Sequence, residues 1–353
     1  MVIRELGLIH FRNYEETFTR FAERLNVFVG RNGQGKTNLL EALYLVTHLE
    51  SFRTRRAAHL VQEGAAQAYV QVVVTEGHLE HKTRIELSRQ GKKVWLDEAI
   101  VPRVSSYIAL FFSLLFNPDN LFRFHQFPAE RRALFDRFLS FIDPAYLKAL
   151  KDLRVVLVQK NKLLKSGRGG DLREWNQLFI DKGYAILKRR MGMVGQLNRL
   201  LSGLFEAVTG RHEDLALLYE PSLEGEPEDW ALALEKVEPR ERMLGHALAG
   251  PHRDEFGFRL GGGDSERMSQ GEYRGAFVAL LLAINGWLGA ERGYQPVLIL
   301  DDLLSELDGA VQRALLEHLA RLPNQVFIST TQWTEGLCPA PAAVRAIEGG
   351  RLL

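Results

Sequence analysis

The sequence predicts an α/β nucleotide-binding head that is interrupted by a helical arm, in a chain of 353 residues. Three features lead to this prediction. A glycine-rich loop follows a strand pattern near the N-terminus, and a buried strand pattern ends in two aspartates near the C-terminus. Helical periodicity dominates much of the sequence between them. Because strands and helices alternate at both ends, we expect one head assembled from the two termini.

Strand and helix patterns surround the glycine-rich loop. The segment 36–48 carries leucine and valine at helical spacing and follows the loop directly. β-branched and aromatic residues predict strands at 2–9, 14–18, 25–29, 69–75, 79–88 and 92–96. The last three have no helix between them, which favours antiparallel hairpins. Towards the C-terminus the patterns predict an apolar helix within 269–288, a buried parallel strand at 295–302, a helix at 309–322 and a strand at 324–330.

The arm is predicted from helical periodicity between about residues 128 and 209, with Pro128 at a natural first-turn position. Two antiparallel helices, 145–165 and 172–208, would meet at a Gly-rich break over 166–171. At 1.5 Å per residue the longer helix spans only about 55 Å. An acidic loop follows at 220–230, and PHRDEFGFRL returns to a strand pattern. The predicted domains are the first part of the head (1–127), the arm (128–245) and the second part of the head (246–353).

Composition indicates a globular chain, with 46% apolar and 25% charged residues. The only cysteine is Cys338, which excludes an intramolecular disulfide and a cysteine-pair zinc site and suits a reducing compartment. The longest apolar runs, 107–112 and 276–284, fall short of the roughly 18–20 residues of a membrane span. The N-terminal residues lack a signal-peptide pattern. We therefore expect a cytoplasmic protein that contacts no membrane.

Charge is balanced overall and uneven along the chain. The net charge is +1, from 45 Lys and Arg against 44 Asp and Glu. Segment 151–200 has 12 basic and 4 acidic residues, whereas 206–242 has 4 basic and 11 acidic residues. A basic face of this kind attracts a polyanion, and the alternative is two solvated helical surfaces.

The glycine-rich loop, GRNGQGKTN at 30–38, contains the G-x-x-x-x-G-K-T spacing of a phosphate-binding loop. Gly30, Gly33 and Gly35 would let backbone N–H groups crowd around a phosphate at a helix N-terminus. Lys36 would reach the β- and γ-phosphates of ATP, and Thr37 would ligate Mg²⁺. The strand–loop–helix context favours this site over a flexible glycine turn. The remaining loop residues expected at the nucleotide are Arg31, Asn32, Gln34 and Asn38.

The second half of the predicted site is VLILDDLLSELD at 297–308. Asp301, at the end of a buried strand, would complete the Mg²⁺ shell. Asp302 would polarise the attacking water, so the predicted catalytic residues are Asp302 and Lys36. The alternative for the two aspartates is a surface-terminating strand followed by a helix cap.

A third motif, MSQGE at 268–272, stands 32 positions before Asp301. Ser269 and Gly271 precede an apolar helix and would offer a hydroxyl, a backbone N–H and the helix dipole to a γ-phosphate. Taken alone, this motif is a weak signal, and Ser269 is better explained as an ordinary N-cap. Its position relative to the other two motifs favours a role at the nucleotide.

Together these motifs resemble the ATP-binding-cassette superfamily, in which two heads sandwich ATP between the phosphate loop of one subunit and the Ser-x-Gly signature of the other. SELD (305–308) resembles the loop that communicates across such a dimer. Ser269 lies 233 positions after Lys36. A compact transporter or translation-type cassette lacks such an insert, and a small-molecule P-loop kinase should lack the Ser-x-Gly and the second aspartate. Chromosome-organising ATPases have a far longer arm, and the double-strand-break-repair ATPase has a Cys-x-x-Cys hook.

Seven stretches point to one family: LIHFRNY (8–14), GRNGQGKTN (30–38), SFRT (51–54), FNPDNL (116–121), PAERRALFDRFLS (128–140), GPHRDEF (250–256) and LDDLLSELD (300–308). In these stretches the sequence resembles the RecF family of recombination mediators, and the resemblance covers the whole chain. The resemblance implies ATP-dependent homodimerisation, slow ATP hydrolysis, binding to DNA, and work with RecR and RecO in loading RecA at single-strand gaps. It also implies that Arg12 and Asn13 lie at the nucleotide.

Several positions depart from the general cassette pattern. Asp302 stands where a glutamate is usual, and its shorter carboxylate agrees with a slow switch. The signature reads SQGE instead of S-G-G-Q. Thr331 follows the strand VFIST where transporters have a switch histidine, and Asn117 stands where a glutamine is expected. His252 and Arg253 look functional by resemblance, without a physical role that the residues reveal.

Two basic clusters are candidates for DNA phosphates, which are bound without reading the base sequence. The alternative for each is a solvated surface. The expected DNA is double-stranded or contains gaps and single-strand junctions. One cluster consists of Arg53, Arg55 and Arg56, and the other of Lys160, Lys162, Lys165 and Arg168.

Overall fold

A computed structural model describes residues 1–102, 107, 111–166, 172–264, 267–293, 295–307, 309–334, 336–338 and 341–353. Contacts between Cα atoms divide the chain into two compact units, each built from more than one stretch. The head unit comprises Met1–Leu121, Phe205–Arg211 and Phe277–Leu353, and the helical unit comprises Phe122–Leu204 and His212–Ala276. The predicted domain boundaries at 127/128 and 245/246 stay a prediction.

Strands occur at both ends of the chain and around the arm. They are β1 (Val2–Phe11), β2 (Tyr14–Arg20), β3 (Leu25–Val29), β4 (Gln67–Glu76), β5 (Leu79–Ser88), β6 (Gly91–Leu96), β7 (Ala99–Ile100), β8 (Ser113–Phe116), β9 (Leu215–Glu220), β10 (Glu255–Leu260), β11 (Gly263–Asp264), β12 (Val297–Leu300), β13 (Val326–Thr330), β14 (Ala342–Glu348) and β15 (Arg351–Leu352).

The α-helices include the longest elements of the arm. They are α1 (Lys36–His48), α2 (Pro118–Gln126), α3 (Pro128–Ile142), α4 (Pro144–Ser166), α5 (Arg173–Thr209), α6 (Pro227–Leu244), α7 (Gln270–Arg292) and α8 (Gly309–Arg321). Of the predicted break at 166–171, residues 167–171 lie outside the described residues.

The head unit contains two six-stranded sheets. The first, in the order β2-β1-β4-β5-β6-β7, is antiparallel, which confirms the predicted hairpins. The second has the order β15-β14-β3-β13-β12-β8. Here β3 from the N-terminal part pairs in parallel with β13 and β14 from the C-terminal part. The predicted head closed from its two termini is therefore confirmed.

Helix α1 is buried along almost its whole length because it packs against strands of both sheets. Residues Leu39–Leu45 are all buried, and the helix contacts β4, β8 and β13. Its apolar side chains belong to the same core as those of β1, β4, β5 and β12. This packing fixes the helix N-terminus, where the phosphate loop ends, at the carboxyl edge of the parallel strands.

The helical unit contains the predicted arm and a three-stranded sheet in the order β11-β10-β9. Asp152 lies 3.5 Å from Lys182, and the Lys160 ammonium lies 5.1 Å from the Phe179 ring centre, so α4 and α5 run antiparallel as predicted. Strand β9 and helix α6 were not expected. The predicted acidic loop at 220–230 is correct only in part, because α6 starts at Pro227 with a reciprocal capping box.

One segment among the described residues, Gln270–Glu291, is long and apolar enough to cross a membrane. However, 83% of its most apolar window is buried inside the protein. Its apolar character is therefore accounted for by packing.

Candidate functional site

The phosphate loop connects β3 to α1, as the sequence predicts. Gly33 (φ 81°) and Gly35 (φ 117°) adopt left-handed backbone conformations that favour glycine. The Lys36 Nζ donates to the carbonyl oxygens of Gly30 (2.6 Å) and Arg31 (3.0 Å). Burial lowers the pKa of Lys36, and the nearby carboxylates of Asp302 and Asp301 offset part of that shift. The ammonium thus sits over a loop whose backbone acceptors a phosphate oxygen can replace.

Asp301 follows β12 directly and faces the first turn of α1. The Thr37 Oγ1 donates to its Oδ1 over 3.0 Å, and the Ser329 Oγ donates to the same oxygen over 2.6 Å. Burial raises the pKa of Asp301, and the two hydroxyl bonds oppose that rise. A hydroxyl and a carboxylate oxygen in contact are the hard ligands that Mg²⁺ prefers. The residue pair predicted for the metal is therefore brought together.

Among the residues that the structure describes, no group of three or more His, Cys, Asp or Glu side chains forms a metal site. Thr37 Oγ1 and Asp301 Oδ1 are two oxygens of the kind that Mg²⁺ takes from a protein, alongside phosphates and water. The donor set fits Mg²⁺ bound together with a nucleotide.

Asp302 has a left-handed backbone, with φ 53°, which is rare for a residue other than glycine. Its N–H donates to the Ser329 Oγ over 2.9 Å, and its Oδ1 accepts from the Ser305 Oγ over 2.5 Å. The two adjacent aspartates are thus held by different partners. In the predicted loop SELD, Asp308 lies outside the described residues.

Two tight turns hold the phosphate loop from its flanks. From the β1–β2 turn, Asn13 Nδ2 donates to the Gln34 carbonyl (3.1 Å) and the Tyr14 hydroxyl to the Gly35 carbonyl (3.0 Å). From the β14–β15 turn, the Gly350 N–H donates to the Gln34 carbonyl (2.9 Å) and the Gly349 N–H to the Gln34 Oε1 (2.7 Å). The second turn was missed, because nothing in its sequence says which loop it contacts.

Arg12 forms an ion pair within the protein, and its predicted contact with the nucleotide stays a prediction. Its guanidinium forms a bidentate pair with Glu41 of α1, with bonds of 2.8 and 2.7 Å, and also donates to the His59 carbonyl. Glu41 is fully buried, so the pair is desolvated and Arg12 anchors the β1–β2 turn on α1.

A chain of side-chain hydrogen bonds links the basic loop at 51–56 to the phosphate loop. The Arg53 Nη1 donates to the Asn38 Oδ1 (2.8 Å), and the Asn38 Nδ2 donates to the Asn13 Oδ1 (2.7 Å). Asn13 in turn bonds the loop carbonyl. The predicted cluster of basic residues therefore lies beside the predicted nucleotide site. Further exposed residues of the two loops are Arg31, Asn32, Arg55 and Arg56.

Ser269, which directly precedes α7, and Gly271, in the first turn of α7, are both exposed and belong to the helical unit. The Ser269 Oγ accepts from the Glu272 N–H (3.3 Å), and the Glu272 Oε2 accepts from the Ser269 N–H (2.8 Å). This is a capping box at an open helix N-terminus. Both interpretations from the sequence, a cap and a phosphate-binding signature, agree with this geometry.

Asn117 directly follows β8. This strand pairs with β12 so that Phe116 lies beside Leu300. Its Oδ1 accepts from the Asn120 N–H over 2.6 Å and so caps α2. Asn117 therefore stands at the same sheet edge as Asp301, and whether it takes the place of the expected glutamine stays a prediction.

The prediction that Lys160 contacts DNA is wrong. Lys160 is fully buried, and its ammonium lies 2.9 Å from Glu241, in an ion pair whose alignment falls short of a hydrogen bond. A buried, paired lysine cannot reach a polyanion. Lys162 and Lys165 are exposed, and Arg168 lies outside the described residues.

The motifs ERR…D and GPHRDEF meet on Arg190, a buried residue of α5 that sequence reasoning missed. Its guanidinium donates to Asp136, to Asp254 (2.7 Å) and to the Pro251 carbonyl (2.8 Å). Burial lowers the pKa of Arg190, but the surrounding carboxylates outweigh it and raise the net value. These motifs therefore form a buried ionic cluster that holds the helical unit together.

His252 lies within the GPHRD motif, half-buried against α5. Its Nδ1 is buried and lacks a hydrogen-bond partner within the described residues. Burial lowers its pKa to about 4, with a smaller contribution from nearby cations. Arg253 is exposed. The arrangement gives His252 a packing role as a neutral ring.

Comparisons with known proteins place the whole chain in one family. The family model described as "RecF/RecN/SMC N terminal domain" matches residues 2–336. A DNA replication and repair protein RecF from Geotalea daltonii is 32% identical over 339 residues, covering 94% of this chain and 93% of that protein. RecF from Alkaliphilus oremlandii is 31% identical over 366 residues, covering 100% of each chain.

Solved structures show the same fold. A structure of the recombination mediator protein RecF with ATP, in the RecFOR pathway, has a TM-score of 0.86 at 26% identity and covers 100% of this chain and 97% of that one. An Smc head bound to the C-winged helix domain of ScpA has a TM-score of 0.61 at 18% identity, over 100% of this chain and 96% of that one, and shares the fold alone. The predicted fold class is confirmed: an ABC-type ATPase head with an antiparallel β subdomain and a helical arm.

Proposed function

This chain belongs to the RecF family of DNA replication and repair proteins, and from that premise we propose that it is an ATP-controlled DNA clamp. Two copies would close around ATP and grip DNA, and ATP hydrolysis would release the grip. The alternative of a transporter or translation-type cassette has no support from the relatives, which are named as DNA replication and repair proteins.

The observation that carries the proposal is the arrangement around Lys36, Thr37 and Asp301. Lys36 is held by backbone carbonyls, which a phosphate can displace, and Thr37 and Asp301 present two oxygens in contact. ATP supplies the anhydride bond to be cleaved and the phosphate oxygens that complete a Mg²⁺ shell. Lys36 would bind the β- and γ-phosphates, and Thr37 and Asp301 would hold the metal.

Asp302 is proposed as the general base that accepts the proton of the attacking water. Its carboxylate accepts from Ser305, whereas that of Asp301 accepts from Thr37 and Ser329, so Asp302 is not tied to the residues proposed for the metal. An aspartate reaches less far than a glutamate, which supports slow hydrolysis and a switch rather than a motor.

The second copy is proposed to complete each site with Ser269 and Gly271. A helix N-terminus that is exposed to solvent is suited to bind a γ-phosphate. The exposed capping box of α7 supports this role, because displacing the Glu272 carboxylate would open the helix end to the phosphate.

DNA phosphates are proposed to contact Arg53, Arg55 and Arg56 with additional contacts from Lys162 and Lys165. Arg53 also bonds Asn38, and through Asn13 it is connected to the phosphate loop. This connection supports mutual dependence of DNA binding and ATP binding. The expected substrate is duplex DNA with gaps or single-strand junctions.

Partners follow from the family. A relative of known structure is described as a mediator in the RecFOR pathway. We propose that this chain likewise works with RecO and RecR in the cytoplasm and promotes loading of RecA at single-strand gaps. Residues 1–127 and 246–353 would supply the ATPase head, and 128–245 the arm.

The proposal is tested by the mass of the protein in solution. Light scattering with ATP and Mg²⁺ should report a dimer, and gapped duplex DNA at a stated salt concentration should bind to that dimer. Ser269→Arg should bind ATP as the native protein does and remain monomeric. A native protein that stays monomeric with ATP and has no affinity for DNA would overturn the clamp.

A further inference from the structure

Two hydroxyl groups, of Ser305 and Thr331, form a row that ends on the carboxylate of Asp302. The Ser305 Oγ donates to the Asp302 Oδ1 over 2.5 Å, and the Thr331 Oγ1 lies 3.4 Å from the Ser305 Oγ. Ser305 belongs to the short 3₁₀ turn Leu304–Glu306 after β12, whereas Thr331 directly follows β13. The parallel pairing of β12 with β13 brings the two segments to one edge of the sheet.

The bond from Ser305 is not needed to fix the backbone around Asp302. That backbone is already held by the bond from the Asp302 N–H to the Ser329 Oγ. The 3₁₀ turn has Leu303 as its N-cap and no side-chain capping bond, so Asp302 does not serve as its cap. What the Ser305 hydroxyl does fix is the rotation of the carboxylate about its side-chain bonds.

We propose that Ser305 and Thr331 are positioning residues for Asp302. Ser305 has one hydroxyl hydrogen and gives it to the Asp302 Oδ1, so Thr331 must be the donor in its contact with Ser305. The Oδ2 is then left as the oxygen that takes a proton. The inference rests on the proposed function, in which Asp302 is the general base.

In that reaction Asp302 Oδ2 takes a proton from the water whose oxygen forms the new bond to the γ-phosphorus. The bond from that phosphorus to the β–γ bridging oxygen breaks, and its electron pair leaves with ADP. A carboxylate whose rotation is fixed presents Oδ2 to the water without a search among orientations. Because both supporting groups are neutral hydroxyls, they orient Asp302 without adding charge.

The test compares matched variants of the full chain. Ser305→Ala should lower kcat about tenfold, with the KM for ATP and the affinity for a non-hydrolysable ATP analogue unchanged within about twofold. Thr331→Val should lower kcat about threefold, because Thr331 contacts Asp302 only through the hydroxyl of Ser305. Ser305→Thr and Thr331→Ser retain the hydroxyls and should restore most of the rate, and Ser305 is exposed, so the added methyl has room.

A second readout is the lifetime of the ATP-induced dimer in light scattering, which should lengthen in Ser305→Ala with ATP, because hydrolysis releases the dimer, and should be unchanged with a non-hydrolysable analogue. An unchanged kcat in Ser305→Ala would overturn the inference. Nucleotide affinity that falls in proportion to kcat would also overturn it, because Ser305 would then be merely structural.

Asp302→Asn separates this inference from the proposed function. It should bind ATP and fail to hydrolyse it. If Asp302→Asn hydrolyses ATP at the native rate, the assignment of the base fails. If Asp302→Asn is inactive while Ser305→Ala and Thr331→Val turn over normally, only the positioning role is lost.

Discussion

The phosphate-loop site of the head and the Arg190 cluster of the helical unit are both made of charged motif residues, but the partners of those charges differ. Arg190 is buried and bonds the carboxylates of Asp136 and Asp254. Lys36 bonds backbone carbonyls, and Asp301 bonds hydroxyls. The first set of charges is neutralised within the protein, and the second has partners that a ligand can replace.

This difference separates residues that stabilise from residues that bind. A buried guanidinium between two carboxylates cannot be released without leaving uncompensated charges. A lysine on carbonyl oxygens can exchange them for phosphate oxygens at little cost, because hydrogen bonds to a charged phosphate are stronger. Mutations in the two regions should therefore affect different measurements.

Arg190→Met should produce the largest effect, and on stability. It leaves the buried Asp254 and the partly buried Asp136 without their cation, which costs roughly 3–5 kcal/mol of unfolding free energy for the helical unit. Urea denaturation followed by circular dichroism measures this loss. Arg253→Met, in the neighbouring exposed position of the same motif, is the control and should change stability by less than about 0.5 kcal/mol. Equal stability of the two variants would remove the distinction between the regions.

Lys36→Met should weaken ATP binding strongly and change stability little, the opposite of Arg190→Met. Affinity for ATP should fall by roughly 100-fold or more, because the ammonium is the cation proposed to bind the β- and γ-phosphates. Unfolding free energy in the absence of nucleotide should change by less than about 1 kcal/mol, since only neutral backbone contacts are lost. Calorimetric titration with a non-hydrolysable analogue checks the first claim. Retention of ATP affinity would show that the loop holds phosphates without its lysine.

The pH dependence of stability should depend on His252. Its pKa is about 4 in the folded chain, because of burial, and near 6.5 when unfolded. Protons therefore bind the unfolded state preferentially between these values, and stability present above about pH 6.5 is lost as the pH falls towards 4. From pH 7.5 to 5 the expected loss is about 2 kcal/mol. His252→Asn removes the titrating group, so an equally steep pH dependence in that variant would contradict this assignment.

Gly350→Ala should have the smallest of these effects. It should change the position of the phosphate loop and leave the charged groups of the site in place. A Cβ there would meet the Asn13 carbonyl oxygen at 2.2 Å, so the β14–β15 turn would have to move off the Gln34 carbonyl. ATP affinity is expected to fall about five- to tenfold through this indirect loss of positioning. Gly349→Ala is the matched control, since it also has a positive φ but meets nothing within 4 Å. Similar losses in both would point to backbone strain rather than to the contact.

Sequence patterns predicted the elements whose signals are local. The phosphate loop, α1 and β12 follow from spacing and from runs of apolar residues, and each appears at the expected place. Strands β8 and β14 were missed. β8 is only four residues long, and β14 has a half-buried pattern with an arginine in it, so their places depend on pairing with distant strands.

Lys160 shows how a local signal was overlooked. It lies on α4 at helical spacing from Leu153, Val156 and Leu164, all of which are buried. That periodicity places Lys160 on the apolar face of the helix. Counting basic residues along the segment ignores which face each one lies on. Its partner, Glu241, is 81 positions away and could not be read from the sequence.

Contacts between distant segments account for the other omissions. Glu41 looks like a chance charge within an apolar helix until Arg12 is placed against it. The two glycines of the β14–β15 turn predict a tight turn, but only the pairing of β14 with β3 brings that turn to the phosphate loop.

The central claim is that each ATP site needs residues from two copies of the chain. It is tested most directly by mixing Lys36→Met with Ser269→Arg and measuring ATP hydrolysis. Each variant alone should be inactive, because one lacks the phosphate-loop cation and the other blocks the signature. The mixture should recover activity, since a mixed dimer has one site with both an intact Lys36 and an intact Ser269. Native activity of Ser269→Arg alone, or a mixture as inactive as its components, would contradict the claim.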